Sequence, residues 1–179
     1  MFQVRIHGRG GQGVVTAAEL LSVAAFLEGK YAQAFPSFGS ERTGAPVVAF
    51  CRISDKEIRL REPIVAPDAV IIQDKTVIES AKAFSGIATN GYALINAAQT
   101  IGNAPEEIKL KCIGATEIAL ENIGRPLPNA VLLGSFAAFT KIITIQSVEE
   151  AIKTKFSETI AEKNIAAARV AYEKTLGEN

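Results

Sequence analysis

Residues 8–13 read Gly8-Arg9-Gly10-Gly11-Gln12-Gly13, four glycines in six positions. Each glycine loses more conformational entropy on folding than another residue would, so such a density needs a reason. Glycines let a backbone turn tightly, gather its N–H groups and approach a ligand with no Cβ in the way. Placed before a helix, they sit beside unpaired N–H groups and a partial positive charge, which together suit an anion. Arg9 adds a full charge. The chemistry these residue types point to is a phosphate cradle. The same glycines also serve a turn that merely packs a helix against a strand.

The flanking residues must position that turn. Phe2, Val4 and Ile6 alternate as strand residues do. After the turn, residues 14–28 form a long apolar segment without proline, in which Val14, Ala17, Ala18, Leu21 and Ala25 fall at helical spacing. Gly29 is placed to end that helix in a left-handed conformation. The order is strand, glycine turn, helix. Residues 8–13 fit GxGxxG, but a dinucleotide site also expects an acidic residue about 20 positions on. That region reads Lys30-Tyr31-Ala32-Gln33-Ala34. No Gly-Lys-Ser/Thr follows either, so an ATP-type P-loop is excluded.

A second candidate stretch is Ser37-Phe38-Gly39-Ser40-Glu41-Arg42-Thr43-Gly44-Ala45-Pro46, too rich in turn formers for regular structure. A ten-residue loop between two strands is longer than compact domains generally use, and such loops carry function disproportionately. A solvated crossover with Glu41 and Arg42 merely exposed is the simpler alternative. The expected binding set is Gly8, Arg9, Gly10, Gly11, Gln12 and Gly13, with Ser37, Gly39, Ser40, Glu41 and Arg42.

Metal and nucleophile chemistry have little to work with. The chain has one histidine and two cysteines, Cys51 and Cys112, with no CxxC. Iron–sulfur and structural zinc sites of the usual patterns are therefore not expected. The cysteines read as buried free thiols. His7 ends the first strand with no acidic partner or nucleophile near it in sequence, and reads as a strand-end residue. No catalytic residue is assigned.

With 179 residues, 48% of them apolar, the chain makes one ordinary domain with a sizeable core. Lys plus Arg balance Asp plus Glu at 19 each, so no strong field attracts nucleic acid or membrane. No secretory signal is read at the N-terminus and no apolar run is long enough to span a bilayer, so a cytoplasmic protein is expected.

Further along, strands are expected at 30–35, 47–53, Ala69–Ile72, Tyr92–Asn96 and 108–113. Ser54-Asp55-Lys56 reads as a hairpin turn with a return strand at 57–61. A helix is expected at 76–84. The last third reads as helices over Ala115–Ile123, 130–143, 148–155 and 158–176, the third starting near Ser147. Alternating strands and helices predict a three-layer α/β/α, Rossmann-like domain. Its sheet is mixed, mostly parallel, with helices on both faces, and a helical segment ends the chain.

These residues also resemble a known family. His7-Gly8-Arg9-Gly10-Gly11-Gln12-Gly13-Val14 with Thr16-Ala17 is similar to the opening of gamma subunits of 2-oxoacid:ferredoxin oxidoreductases. Gln33-Ala34-Phe35-Pro36 continuing through Pro46 resembles their second motif, in its pyruvate-type version. Lys163-Asn164-Ile165 with Ala171-Tyr172-Glu173 is similar to their C-terminal helix. The resemblance implies a non-autonomous subunit of an enzyme that oxidatively decarboxylates a 2-oxoacid to an acyl-CoA, with ferredoxin or flavodoxin taking the electrons. It implies alpha, beta and delta partners that carry thiamine diphosphate and iron–sulfur clusters. For this chain it implies a role in coenzyme A binding and subunit assembly, with no cofactor held by the chain alone. Two other readings stand beside it: a purely structural docking subunit, and a free-standing dinucleotide-dependent dehydrogenase suggested by GxGxxG.

Overall fold

A computed structural model describes residues 1–37, 43–102 and 104–177. Six strands form one sheet: β1 (Phe2–Arg9), β2 (Tyr31–Pro36), β3 (Pro46–Ser54), β4 (Ala69–Ile72), β5 (Tyr92–Asn96) and β6 (Lys109–Ile113). Their spatial order is β2-β3-β1-β4-β5-β6. The helices are α1 (Val14–Leu27), α2 (Ala115–Ile123), α3 (Asn129–Thr140), α4 (Ile145–Lys155) and α5 (Glu158–Gly177). The fold is the expected α/β one with a mixed sheet.

β1 is interior, parallel to β4 and antiparallel to β3. β4, β5 and β6 continue in parallel. The antiparallel part of the sheet has a different origin from the one expected. It comes from β3 inserting between β2 and β1, not from a hairpin at 54–56. Residues 57–61 are not a strand, and most of them are exposed. Their alternation of charged and apolar residues mimics a half-buried strand, yet no edge is free beside β3, which is paired on both sides.

The two sheet faces are covered differently. Val4, Ile6, Cys51, Ile71 and Leu94 point to one face, where they join residues of all five α-helices in the main core. α3 lies at its centre: every residue except Phe139 is buried, which suits a helix apolar all round its surface. α5 packs outside α3, and Gly134 makes room for it.

The other face buries Val70, Ile72, Ala93 and Ile95 under residues 77–87. The helix expected at 76–84 is only a single 3-10 turn, Lys75–Val77, followed by further turns. Lys82 there has φ +45, outside the right-handed region that a continuing helix needs. Beyond β1, this face is spanned by residues 62–66, an irregular strap. Arg52 donates to the Glu62 carbonyl (2.6 Å) and Gln3 to that of Ala66 (3.2 Å). Arg5 donates to the Ile64 carbonyl (3.4 Å) and to those of Ala83 (3.0 Å) and Ser85 (2.6 Å). Buried arginine forks thus satisfy carbonyls that irregular chain would otherwise leave unpaired.

Helix ends differ by small amounts from expectation. Lys141 adopts φ +57 and stops α3 early. α4 starts at Ile145 because the hydroxyl of Thr144 accepts from the Ser147 N–H (3.2 Å). Gly29 has the expected positive φ at the end of α1, and Gly124 has a positive φ at the end of α2. No described helix is long and apolar enough to cross a membrane.

Candidate functional site

The glycine turn lies at the C-terminal end of β1. β1 runs further than its apolar alternation suggests, through Gly8 to Arg9. A Cβ on Gly8 would lie 2.7 Å from Val14 Cγ2, so only glycine lets α1 come this close to β1. The Gln12 N–H closes the turn on the Arg9 carbonyl (3.1 Å). Gly11 and Gly13 have φ +94 and +73, which L side chains rarely adopt. Gly13 is the N-cap of α1 and offers no side-chain acceptor, so no capping side chain occupies the first-turn N–H groups.

The second loop returns beside the first. Gly10 N–H donates to the Ala45 carbonyl (2.9 Å), Gly44 N–H donates to the Gly10 carbonyl (3.2 Å), and Gly10 bridges Thr43. Ser37 N–H donates to the Val48 carbonyl (2.8 Å) at the start of the loop. The described ends of the two stretches therefore meet at the same end of the sheet. Gly39, Ser40, Glu41 and Arg42 lie outside the described residues.

Arg9 and Gln12 are held by a residue the sequence did not single out. Arg9 Nε lies 3.4 Å from Asp74 Oδ2, and Gln12 Nε2 donates to the same oxygen (3.0 Å). Against the upward push of partial burial, hydrogen bonds from Thr76 and Gln12 and the charge of Arg9 hold the Asp74 carboxyl below its ordinary value. Arg9 also donates to Thr76 Oγ1 (2.6 Å) and the Gly44 carbonyl (2.9 Å). Gln12 Oε1 accepts from the Arg9 N–H (2.8 Å).

Two hollows open from the turn. The larger, about 490 Å³, lies between the start of α1, the α2–α3 connection and α5. Gly11, Gly13, Thr16, Asn129, Arg125 and Lys163 give it polar lining, and Leu127, Phe156 and Ile160 give it an apolar wall. Among the described residues, the side chains of Arg125 and Lys163 find no ion-pair or hydrogen-bond partner. A cavity with unpaired cations, a helix N-terminus and an apolar wall suits an anion attached to an apolar or aromatic body. The smaller hollow, about 330 Å³, continues past Gly10, Arg9 and Val47. Arg125 and Asn129 were missed because their segment has no periodic signature beyond Pro126 and Pro128. Lys163 stood in the C-terminal motif but carried no assigned role.

His7 and the thiols lie apart from this chemistry. His7 is buried on the strap face, where Nε2 accepts from Arg5 Nε (3.0 Å). Burial, and then the charge of Arg5, lower its pKa to about 4, so the imidazole is neutral near pH 7. Cys51 and Cys112 are both free. No three His, Cys, Asp or Glu side chains among the described residues are grouped to hold a metal ion.

The fold and the position of the hollow define a Rossmann-like α/β domain whose ligand-suited groups lie beyond the C-terminal ends of its parallel strands. The family model for pyruvate ferredoxin/flavodoxin oxidoreductase matches residues 3–174. The chain belongs to that family, as a gamma subunit of a pyruvate/2-oxoacid:ferredoxin oxidoreductase complex. It is 51% identical over 174 residues to pyruvate synthase subunit PorC of Methanothermobacter marburgensis, covering 97% of each chain. It is 48% identical over 181 residues to the common gamma subunit of the pyruvate/ketoisovalerate oxidoreductases of Thermococcus litoralis, covering 98% of each. The crystal structure of pyruvate oxidoreductase subunit PORC from Thermotoga maritima superposes with a TM-score of 0.83 at 35% identity, covering 96% of this chain and 95% of that one. The fold also matches 31% of a chain of 2-oxoglutarate:ferredoxin oxidoreductase from Magnetococcus marinus, solved with 2-oxoglutarate, coenzyme A and succinyl-CoA bound. That match has a TM-score of 0.81 at 18% identity and covers 99% of this chain.

Proposed function

We propose that this gamma subunit binds the coenzyme A used by the oxidoreductase, in the hollow at the start of α1, and helps hold the complex together. The observation that carries the reading is the pair of cations, Arg125 and Lys163, whose side chains have no partner among the described residues, in the cavity that the glycine turn opens into. Coenzyme A is a polyanion with an aromatic base and a long thin arm. The base suits the wall of Leu127, Phe156 and Ile160, and the phosphates suit the cations and the N–H groups of the first turn of α1. The arm has a path across Gly11 and Gly13 toward Arg9 and Val47. Ser37, Gly39, Ser40, Glu41 and Arg42 complete the proposed set of coenzyme A contacts. The coenzyme A bound in the Magnetococcus marinus enzyme is consistent with it.

The reaction chemistry lies with partners. Thiamine diphosphate and iron–sulfur clusters are assigned to alpha, beta and delta subunits, with ferredoxin or flavodoxin as the electron acceptor, and no catalytic residue to this chain.

The test uses the assembled enzyme. Arg125→Ala and Lys163→Ala each remove one charge-assisted contact of roughly 1.5–3 kcal/mol, so each raises the KM for coenzyme A by about tenfold or more and leaves the KM for the 2-oxoacid alone. An unchanged coenzyme A dependence in an intact complex sinks the binding role. Loss of the complex on size-exclusion chromatography favours pure docking.

A further inference from the structure

The structure assigns Asp74 a positioning role: its one carboxylate clamps the glycine turn and residues 43–45 into a single unit. This role rests on the coenzyme A reading above. Asp74 lies two residues past the end of β4, which pairs with β1. Oδ2 accepts from Gln12 Nε2 at 3.0 Å and pairs with Arg9 Nε at 3.4 Å. Oδ1 accepts from the N–H (2.9 Å) and hydroxyl (2.6 Å) of Thr76. That hydroxyl in turn accepts from Arg9 Nη2 (2.6 Å) and Nε (3.0 Å).

The guanidinium so fixed reaches onward, and Nη1 donates to the carbonyl of Gly44 at 2.9 Å. One acid therefore holds the first loop through Gln12 and Arg9, and the second loop through Arg9. Among the described residues, the backbone hydrogen bonds between the loops run from Gly10 to Ala45 and from Gly44 to Gly10. Gly11, Gly13 and Gly44 have positive φ, and nothing lies within 4 Å of a Cβ at Gly11 or Gly44. No neighbour packs against either position on that side, so hydrogen bonds, those of the polar clamp among them, hold the two loops in place.

The arrangement also alters what Arg9 does. Its charge is balanced by Asp74, so Arg9 contributes shape to the rim more than net attraction for an anion. Attraction falls to Arg125 and Lys163. Asp74 and Arg9 set the geometry in which the first-turn N–H groups are presented, and a preorganised loop binds more tightly because less ordering is left for the binding step.

The experiment compares the purified complex, carrying all its subunits, in wild-type, Asp74→Asn, Thr76→Val and Arg125→Ala forms. Steady-state kinetics give KM for coenzyme A and for the 2-oxoacid together with kcat, and hydrogen exchange is read on peptides covering 9–13 and 43–45. Asp74→Asn is expected to raise the KM for coenzyme A roughly tenfold, with kcat and the 2-oxoacid KM unchanged. Exchange is expected to quicken in both segments together and nowhere else. Thr76→Val shifts the same readouts in the same direction by less, and serves if Asp74→Asn does not assemble. Unchanged exchange at 43–45 in either variant that assembles overturns the clamp. So does a coenzyme A KM that stays at the wild-type value when Arg125→Ala raises it. If both segments loosen and none of the three variants, Arg125→Ala included, alters the coenzyme A dependence, the clamp stands and the coenzyme A reading falls.

Discussion

The Nε–H of Arg5 donates to Nε2 of His7 at 3.0 Å, and both side chains are buried between β1 and the strap. A protonated imidazole cannot accept that bond and would place a second cation beside the guanidinium. This is the physical content of a His7 pKa lowered from 6.5 to about 4.

The folded state thus binds fewer protons at His7 than the unfolded chain between about pH 4 and 6.5. Stability from this group is full above 6.5 and is lost as pH falls toward 4, by on the order of 3 kcal/mol in all. His7 is the only histidine in the chain. Denaturant midpoints of the isolated chain should therefore fall between pH 6.5 and 5. In an NMR titration the single imidazole should keep its neutral chemical shift to below pH 5.

Gly134 and Ala168 set the separation of α3 and α5. A Cβ on Gly134 would lie 2.0 Å from the Ala168 carbonyl oxygen, a backbone atom that cannot swing aside. Gly134→Ala should gain helix propensity yet lose stability overall by about 3 kcal/mol, the upper range for overpacking. A denaturant melt checks it, and a neutral or stabilised variant would mean the two helices can separate at little cost.

The glycines of the turn should separate stability from binding. A Cβ at Gly11 meets nothing within 4 Å, so Gly11→Ala costs only backbone strain, about 1–2 kcal/mol. At Gly13 the same change adds a contact of 2.6 Å to Asn129 Nδ2 and should cost more. In the assembled enzyme, Gly11→Ala should raise the coenzyme A KM while its thermal midpoint stays closer to wild type than that of Gly13→Ala.

Cys51 is fully buried and burial pushes its thiol well up, and half-burial raises that of Cys112 to a lesser degree. A thiol reagent at neutral pH should label one cysteine slowly in the folded chain, Cys112, and both after unfolding. Rapid modification of Cys51 would place it somewhere other than the core.

Much of the fold was legible because its signals are local. The alternation of Phe2, Val4 and Ile6, the glycine turn and the stripe of α1 each sit within a few residues. Ala69–Ile72 and Tyr92–Asn96 read as strands and are strands. The hairpin at 54–56 failed because alternation at 57–61 shows only a spacing, not an available sheet edge. The helix at 76–84 failed because Asp74 caps a 3-10 turn by accepting from Thr76, and Lys82 turns left-handed. The site was half legible. Glycine density marked its floor, whereas Asp74, Arg125 and Lys163 reach it from segments 60 or more residues away. No spacing in the sequence encodes that convergence. The family resemblance, resting on three motifs spread along the chain, identified the complex.

The stretch between β2 and β3 begins at Ser37, hydrogen-bonded to Val48, and ends at Thr43 and Gly44, hydrogen-bonded or bridged to Gly10. Its two anchors flank β2, β3 and β1, whose register is set by their own pairing. The segment is therefore an exchangeable cassette. Doubling its length adds only about 0.6 kcal/mol of closure entropy, leaving strand pairing and the core unchanged. Natural selection can rewrite the residues between these anchors without renegotiating the fold.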